Sequence, residues 1–402
     1  MKSRICEEQR GIVHRFLIAL LCALALPSLV LTSDVTVGRA LPQALTNPPD
    51  WELTGLTEPA LRLFTPSTGV LFAQTARELM RSDDAGDSWG PVSLGPATQL
   101  LSSDPTQHTI LYAAGPSGVY KTTDDAVTWA PILAYGPGVG GEALGLAVSP
   151  ADTNLLYVAV GGGRGAPADF RFLRSRDGGA TWQQLEEHHF SLCSWDVPIL
   201  QSHPADARRV FRAADCIAGR NFGETLAQST NAGESWTPLF NPQPNAPPLF
   251  GYPQSLVGGQ GLEPRRFYLA VNRDRRAGGS SVVRSDDDGA TWNEVLAYRG
   301  GGSRGFAPDV DPTAPNLRLG GLAYEPAQPD HVYVARQVFP AFFEPPAGGA
   351  VAASLDGGET WADLGRQDIG AVSDLALGAD DGWLFAATDQ GLWRWRLGAA
   401  GK

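Results

Sequence analysis

Seven arginines stand in segments rich in glycine and proline, a composition typical of surface loops. They are Arg164, Arg220, Arg273, Arg275, Arg276, Arg299 and Arg304. A guanidinium group holds a carboxylate or a phosphate through two parallel hydrogen bonds. The pattern therefore predicts a cationic patch that binds an anionic group, with a solvated charged loop at residues 273–276 as the alternative.

Carboxylates lie in or beside the same segments, and glycoside hydrolysis requires a pair of carboxylates at a defined separation. The residues are Asp169, Glu187, Asp215, Asp309, Asp311 and Glu344. Several pairs qualify by residue type alone. A further segment is apolar and contains Phe342 and Phe343, which stack on a sugar ring, dock on a protein or cover their own sheet.

Residues that bind metals are sparse. Asp309 and Asp311 are two acids alone, fewer oxygen ligands than Ca²⁺ takes. His188 and His189 lie close to Cys193, but no further histidine or cysteine completes a zinc set at the usual spacing. We therefore expect neither a metal nor a cofactor.

An eight-residue repeat, Ser/Thr-x-Asp-x-Gly-x-Thr/Ser-Trp, indicates the elements that position these loops. Its six copies span residues 82–89, 122–129, 175–182, 229–236, 285–292 and 354–361. Each copy predicts a strand, a tight turn and a second strand, since glycine takes a positive φ and aspartate bonds its own turn. The third and eighth positions, to which we assign structural roles, are Asp84, Trp89, Asp124, Trp129, Asp177, Trp182, Asn231, Trp236, Asp287, Trp292, Asp356 and Trp361.

The repeat resembles the Asp-box (BNR) repeat of sialidases, sortilin-type receptors, xyloglucan-cleaving glycosidases and photosystem II assembly factors. The resemblance implies a β-propeller with each repeat at the outer turn between the third and fourth strands of a blade. Two copies depart from the pattern, since Ala126 replaces the glycine and Asn231 replaces the aspartate. The Arg-Ile-Pro signature that sialidases carry before the first repeat is absent, and xyloglucan-cleaving relatives are usually larger, with two propellers.

A second repeat places an aromatic residue seven positions after a proline and marks the step from the first strand of a blade into the second. The aromatic residues are Tyr112, Tyr157, Phe211 and Tyr333, with Tyr268 in a shortened copy. Three more strands follow the last eight-residue repeat, and residues 51–54 supply a fourth. We therefore predict an all-β, seven-bladed β-propeller of four-stranded antiparallel blades, closed by an N-terminal strand. Six blades with an accessory hairpin is the alternative.

Loop lengths separate the two faces of such a propeller. The repeats and the first-to-second turns are short and share one face, whereas the other face carries the long inserts of blades three to six. Binding residues concentrate on loops held by a rigid scaffold, so we predict a binding face opposite the repeats. The favoured function is an exported, non-catalytic propeller that binds a protein or a glycan there. A glycoside hydrolase of sialidase-like architecture is the alternative.

Charge and the N-terminal segment indicate an exported protein. The formal net charge of −12 argues against nucleic-acid binding. An apolar run at 16–32 follows basic residues, so residues 1–45 predict a cleaved signal peptide or an uncleaved membrane anchor, and residues 46–402 the propeller. The expected location is extracellular, periplasmic or at the cell surface. Cys193 and Cys216 flank a predicted hairpin, where we expect a disulfide, with two free thiols as the alternative.

Overall fold

The computed structural model describes the chain in twelve stretches between residues 51 and 397. They are residues 51–66, 70–135, 142–161, 170–188, 195–216, 226–239, 251–273, 279–298, 316–339, 346–365, 368–378 and 382–397. Side chains are described there except at 142, 187–188, 195–198, 214–216, 251–252, 273 and 316. Within these stretches no helix has the length and apolar character to cross a membrane. The signal peptide, the membrane anchor and the boundary after residue 45 lie outside them and stay predictions.

Seven antiparallel sheets of four strands form a ring, which confirms the predicted seven-bladed β-propeller. The strands of blades one to three are β2 (Ala60–Phe64), β3 (Leu71–Thr75), β4 (Leu79–Ser82) and β5 (Gly90–Val92); β6 (Gln99–Ser103), β7 (Leu111–Gly115), β8 (Gly118–Thr122) and β9 (Ala130–Ala134); and β10 (Glu142–Ser149), β11 (Asp152–Gly161), β12 (Phe170–Ser175) and β13 (Gln183–His188). The first strands of neighbouring blades contact each other, as β10 and β14 do, and so line the axis.

The remaining blades repeat this order. The strands of blades four to six are β14 (Trp195–Ser202), β15 (Val210–Cys216), β16 (Ala227–Ser229) and β17 (Thr237–Pro238); β18 (Gly251–Gly258), β19 (Phe267–Arg273), β20 (Ser280–Ser285) and β21 (Asn293–Tyr298); and β22 (Asn316–Tyr324), β23 (Val332–Phe339), β24 (Gly348–Ser354) and β25 (Ala362–Asp363). Blade seven consists of β26 (Val372–Leu377), β27 (Trp383–Thr388), β28 (Gly391–Arg396) and β1 (Glu52–Leu53).

The second strand of each blade is packed between two neighbouring blades, and in blades two to six the proline repeat supplies its largest side chain. Its aromatic residues are at most 2 % exposed: Tyr112, Tyr157, Phe211, Tyr268 and Tyr333. Burying an apolar side chain of this size contributes about 1.5–3 kcal/mol. The repeat is therefore a signature of the core that joins the blades.

Blade seven joins the two ends of the propeller. Its outer strand, β1, pairs with β28, placing Glu52 opposite Arg394 and Leu53 opposite Trp393. Trp51 is 3 % exposed, and its Nε1 donates to the Leu364 carbonyl of blade six at 2.8 Å. Its ring contacts Trp395 with centroids 5.7 Å apart. This arrangement confirms that an N-terminal strand completes the last sheet and removes its exposed edge.

Each first strand carries a β-bulge against its second strand. The breaks in register fall at Ala60/Arg62, Leu100/Ser102, Ala143/Gly145, Asp196/Ile199, Pro253/Ser255, Leu319/Leu322 and Val372/Asp374. A bulge leaves a residue unpaired and bends the strand, which redirects side chains. The bulges thus change the direction of side chains in the strands that line the axis of the ring.

Candidate functional site

The eight-residue repeats form turns whose polar groups bond one another. In the third copy, Ser175 Oγ donates to Asp177 Oδ1 at 2.8 Å and accepts from Gly179 N at 2.8 Å. Asp177 Oδ1 accepts from Thr181 N at 2.8 Å, and Thr181 Oγ1 donates to Asp177 Oδ2 at 2.5 Å. The aspartate is therefore occupied within its own turn, and this geometry gives it a structural role.

The two divergent copies keep the same turn. Ala126 stands where the other copies have glycine and takes a φ of 67°, and its N–H donates to Thr122 Oγ1 at 3.1 Å. Asn231 Oδ1 accepts from Ser235 N at 2.9 Å, while its Nδ2 donates to Ser235 Oγ at 2.9 Å. A neutral amide thus reproduces most of the geometry that the carboxylate gives elsewhere.

We expect Asp177→Asn to lower the free energy of unfolding at neutral pH and to lose this effect in acid. Hydrogen bonds from the hydroxyl and N–H of Thr181 lower the pKa of Asp177 from 3.8 to about 2. Since the unfolded-state pKa is the higher one, the carboxylate's stabilisation is complete above 3.8 and is lost as the pH falls through about 2. Urea titrations of both proteins over a descending pH series measure this.

Asn231→Asp is the matched control for that prediction. It introduces the carboxylate that the fourth repeat lacks, so it should raise the free energy of unfolding at neutral pH and lose the gain in acid. A difference between the wild-type protein and Asp177→Asn that stays constant over the pH series would contradict this account.

Side chains of the preceding blade also hold the repeat turns. The residue directly before a repeat donates to the backbone carbonyl of the fourth residue in the next repeat. The pairs are Lys121 to Gly178 at 3.1 Å, Arg174 to Ala232 at 2.6 Å, Gln228 to Asp288 at 3.3 Å and Arg284 to Gly357 at 2.6 Å. Arg394 of blade seven donates to the carbonyl of Ala85 at 2.9 Å, whereas Arg81 bonds the carboxylate of Asp125.

Sequence reasoning missed these inter-blade contacts. The available signal was a long polar side chain immediately before five of the six repeats. A hydrogen bond from a charged group contributes about 1.5–3 kcal/mol when it is well formed. The contacts therefore help to fix the angle between neighbouring blades.

Most of the predicted binding residues lie outside the described stretches. They are Arg164, Asp169, Arg220, Arg275, Arg276, Arg299, Arg304, Asp309, Asp311, Phe342 and Phe343. Arg273 is the last residue of β19, opposite Gly251, and only its backbone is described. Their roles stay predictions.

The predicted disulfide also stays a prediction. Cys216 ends β15, where its backbone pairs with Trp195, and Cys193 lies outside the described residues. Within the described residues, no three side chains of histidine, cysteine, aspartate or glutamate come together as metal ligands.

A carboxylate that sequence reasoning overlooked lies where three blades meet at the axis. Asp374 is the third residue of β26, beside the bulge of that strand. Its Oδ2 accepts from Leu63 N of blade one at 2.9 Å, and its Oδ1 accepts from Leu375 N at 3.0 Å. A Cβ on Gly321 of blade six would approach Oδ1 to 2.3 Å, so glycine there makes room for the carboxyl group.

This environment changes the acidity of Asp374. Desolvation raises its pKa to about 6, against the opposing effects of the Leu63 N–H and the charge of Arg62. The residue nevertheless keeps part of its surface exposed. A carboxyl group that holds its proton at mildly acidic pH is suited to general acid catalysis. A purely structural role, linking blades seven and one, is the alternative.

Ser373 makes a neighbouring link between the same two blades. Its Oγ donates to the carbonyl of Ala60 in β2 at 3.1 Å. The segment AVSDLALG predicted only a strand, and its one detectable signal was an acid within an otherwise apolar first strand. Leu63 and Asp374 are 311 residues apart, so no local pattern brings them together.

In sequence, the chain is similar to two curated xyloglucanases, while no family model matches it. The xyloglucanase of Paenibacillus sp. is 26% identical over 271 residues, which cover 57% of this chain and 24% of that protein. A xyloglucanase of Acetivibrio thermocellus is 23% identical over 281 residues, which cover 62% of this chain and 31% of that protein. The chain thus matches only about a quarter to a third of the length of these relatives.

Solved structures show the same fold at low sequence identity. The GH74 xyloglucanase from Xanthomonas campestris superposes with a TM-score of 0.58 and 17% identity, covering 86% of this chain and 53% of that one. A structure of YCF48 bound to D1 peptide gives a TM-score of 0.54 and 16% identity, covering 89% and 98%. Identity this low supports a common architecture and leaves activity to the site itself.

These comparisons overturn the favoured functional prediction. The expectation of a non-catalytic binding propeller is wrong, because the sequence relatives are glycoside hydrolases and favour the alternative. The error has a physical origin: the repeats encode turns whose hydrogen bonds are internal, so they carry no information about chemistry at the axis. The long loops favoured a binding function in the prediction, although such loops are equally compatible with catalysis.

Proposed function

We propose that the chain is a glycoside hydrolase that cleaves xyloglucan or a closely related β-glucan on the propeller face opposite the repeat turns. Sequence similarity to two xyloglucanases, over more than half of this chain, supports this assignment most directly. The substrate class is a neutral polysaccharide. The arginines of the long loops would then hydrogen-bond sugar hydroxyls, and Phe342 and Phe343 would stack on sugar rings.

Asp374 is the proposed general acid. It lies near the start of β26, and that end of the strand belongs to the face with the long loops. In its protonated form it would donate to the glycosidic oxygen as the bond to the anomeric carbon breaks. The carboxyl group's enclosure by β2 and Gly321 supports this role, since it keeps the proton on the acid at mildly acidic pH.

The second carboxylate would come from the same face. Asp196 and Asp215 stand opposite each other in the backbone register of β14 and β15, at the end of blade four that carries the long loops. One of them would activate the attacking water or attack the anomeric carbon itself. If the carboxylate activates water, the water displaces the leaving sugar directly; if it attacks, water then hydrolyses the glycosyl-enzyme bond with Asp374 acting as base. Either route consumes one water molecule and leaves a new reducing end.

The proposed substrate also bears on the location of the protein. A polysaccharide is too large to enter cells, so an enzyme that cleaves it acts after export. We propose that residues 1–45 direct this export, and that an oxidising compartment allows Cys193 and Cys216 to form a disulfide.

Release of reducing ends by the purified full-length chain tests the proposal. Xyloglucan is the expected substrate, with unsubstituted β-glucan cleaved more slowly and a sialylated oligosaccharide left intact. Asp196→Asn and Asp215→Asn, assayed separately, identify the second carboxylate by the larger loss of rate. Absence of new reducing ends from all the glucans, with a correctly folded protein, would overturn the proposal.

A further inference from the structure

A cavity opens at the other mouth of the axis, on the face that carries the repeat turns. It is lined by the ends of the first strands of blades two to five and by Tyr324 of blade six. Its volume of about 330 Å³ lies at the lower end of the range for small-molecule sites, about 300–1,000 Å³. The proposed cleavage site lies at the opposite mouth, so the two are separate places on the molecule.

The lining is polar but carries no charge. Gln201, Gln260, Ser102 and Ser103 supply amide and hydroxyl groups, and none of the lining residues is acidic or basic. Desolvation raises the pKa of Tyr324 to about 12, so its phenol stays neutral, and it donates to the carbonyl of Gln260 at 3.2 Å. A charged ligand would lose its hydration here and gain no counter-charge, which disfavours phosphates, uronic acids and amines.

Apolar groups complete the surface. Leu146, Val148, Leu200 and Val257 line the cavity between the polar groups. A pyranose ring needs this combination, since its hydroxyls lie around the edge and its C–H groups form apolar faces. Small-molecule sites in general combine an apolar lining with a few polar groups that fix orientation.

We propose that this mouth is a second binding site, one that takes a neutral sugar residue such as the end of a glucose- or xylose-containing oligosaccharide. Gln201 would bond a ring hydroxyl, with Gln260 bonding its neighbour. The inference depends on the lining of this cavity alone, so it can be correct or wrong independently of the hydrolysis proposed above.

Saturation-transfer NMR on the full-length protein, with glucose, xylose and glucuronate as separate probes, tests the proposal. We expect transfer to the two neutral sugars that depends on the cavity, and no cavity-dependent transfer to glucuronate. Gln201→Leu should weaken glucose binding about fivefold, the equivalent of one hydrogen bond of about 1 kcal/mol. The variant should unfold at nearly the same urea concentration as the wild type, because the side chain of Gln201 is part exposed at the cavity surface.

Two further variants sharpen the test. Gln201→Trp fills the cavity and should abolish binding, whereas Ser117→Ala, at an exposed turn on the opposite face, should leave it unchanged. Glucuronate binding that Gln201→Trp abolishes, or glucose binding unaffected by both cavity variants, would overturn the proposal. Absence of transfer from the wild-type protein to both neutral sugars would mean that the mouth holds only water, and would overturn it as well.

Discussion

Replacing Asp374 with asparagine is expected to lower the rate of xyloglucan cleavage by about 10²–10⁴-fold, the usual contribution of a general acid. Asparagine has the same shape, and its single carbonyl oxygen still accepts one of the two N–H groups that Asp374 binds. The fold should therefore survive while the transferable proton is lost. Initial rates at saturating substrate, together with circular dichroism of the variant, measure both effects.

The pH dependence separates a catalytic role from a structural one. The pKa of Asp374 is raised to about 6, so kcat of the wild-type protein should fall as the pH rises through this value. The residual rate of Asp374→Asn should not show that decline. The stability contribution has the same direction: the folded-state pKa exceeds the unfolded value of 3.8, so the contribution is complete below 3.8 and is lost as the pH rises through about 6.

Ser373→Ala is the matched control, because it removes a neighbouring link between blades seven and one without touching the carboxyl group. Its hydroxyl bonds Ala60 at 3.1 Å, so we expect a loss of about 0.5–1.5 kcal/mol in stability and a nearly unchanged kcat. An equal loss of kcat in both variants would show that Asp374 acts through the blade contact alone, and the assignment as general acid would fail.

Trp51→Ala should destabilise the protein by about 3–5 kcal/mol, the range for truncating a buried tryptophan. The side chain is 3 % exposed, contacts Trp395 and donates to the carbonyl of Leu364 at 2.8 Å. Its loss removes apolar burial and also loosens β1, which completes blade seven. Urea unfolding followed by tryptophan fluorescence measures the change.

Leu53→Ala tests whether the effect belongs to the buried ring. Leu53 lies in the same strand but is 44% exposed, so its truncation should cost no more than about 0.5 kcal/mol. Equal destabilisation by both changes would mean that backbone pairing of β1, and not the packing of Trp51, closes the propeller.

The architecture could be predicted from the sequence because the residues that specify it are close together in the chain and recur in successive blades. Asp177 and Gly179 specify a turn within eight residues, and Tyr157 and its counterparts recur in the second strand of successive blades. Even the closing strand was predictable, since three strands after the last repeat leave a sheet that lacks one member.

Much less of the proposed site could be predicted from the sequence. Asp374 acquires its altered acidity from Leu63 and Gly321, which belong to two other blades and leave no trace in the segment around the aspartate. The long-loop residues were recognised by composition alone, which gives neither distances nor orientations. The functional prediction was wrong for a related reason, because a turn sequence shared by enzymes and binding proteins cannot distinguish them.

The pairing of β1 with β28 determines when the propeller can close during biosynthesis. Glu52 and Arg394 are 342 residues apart, so at about 5–20 residues per second the ribosome needs roughly 17–70 s between making one and the other. During that interval the growing ring has no partner for its first strand, and any chain cut short before β28 is left with an unsatisfied sheet edge open to self-association.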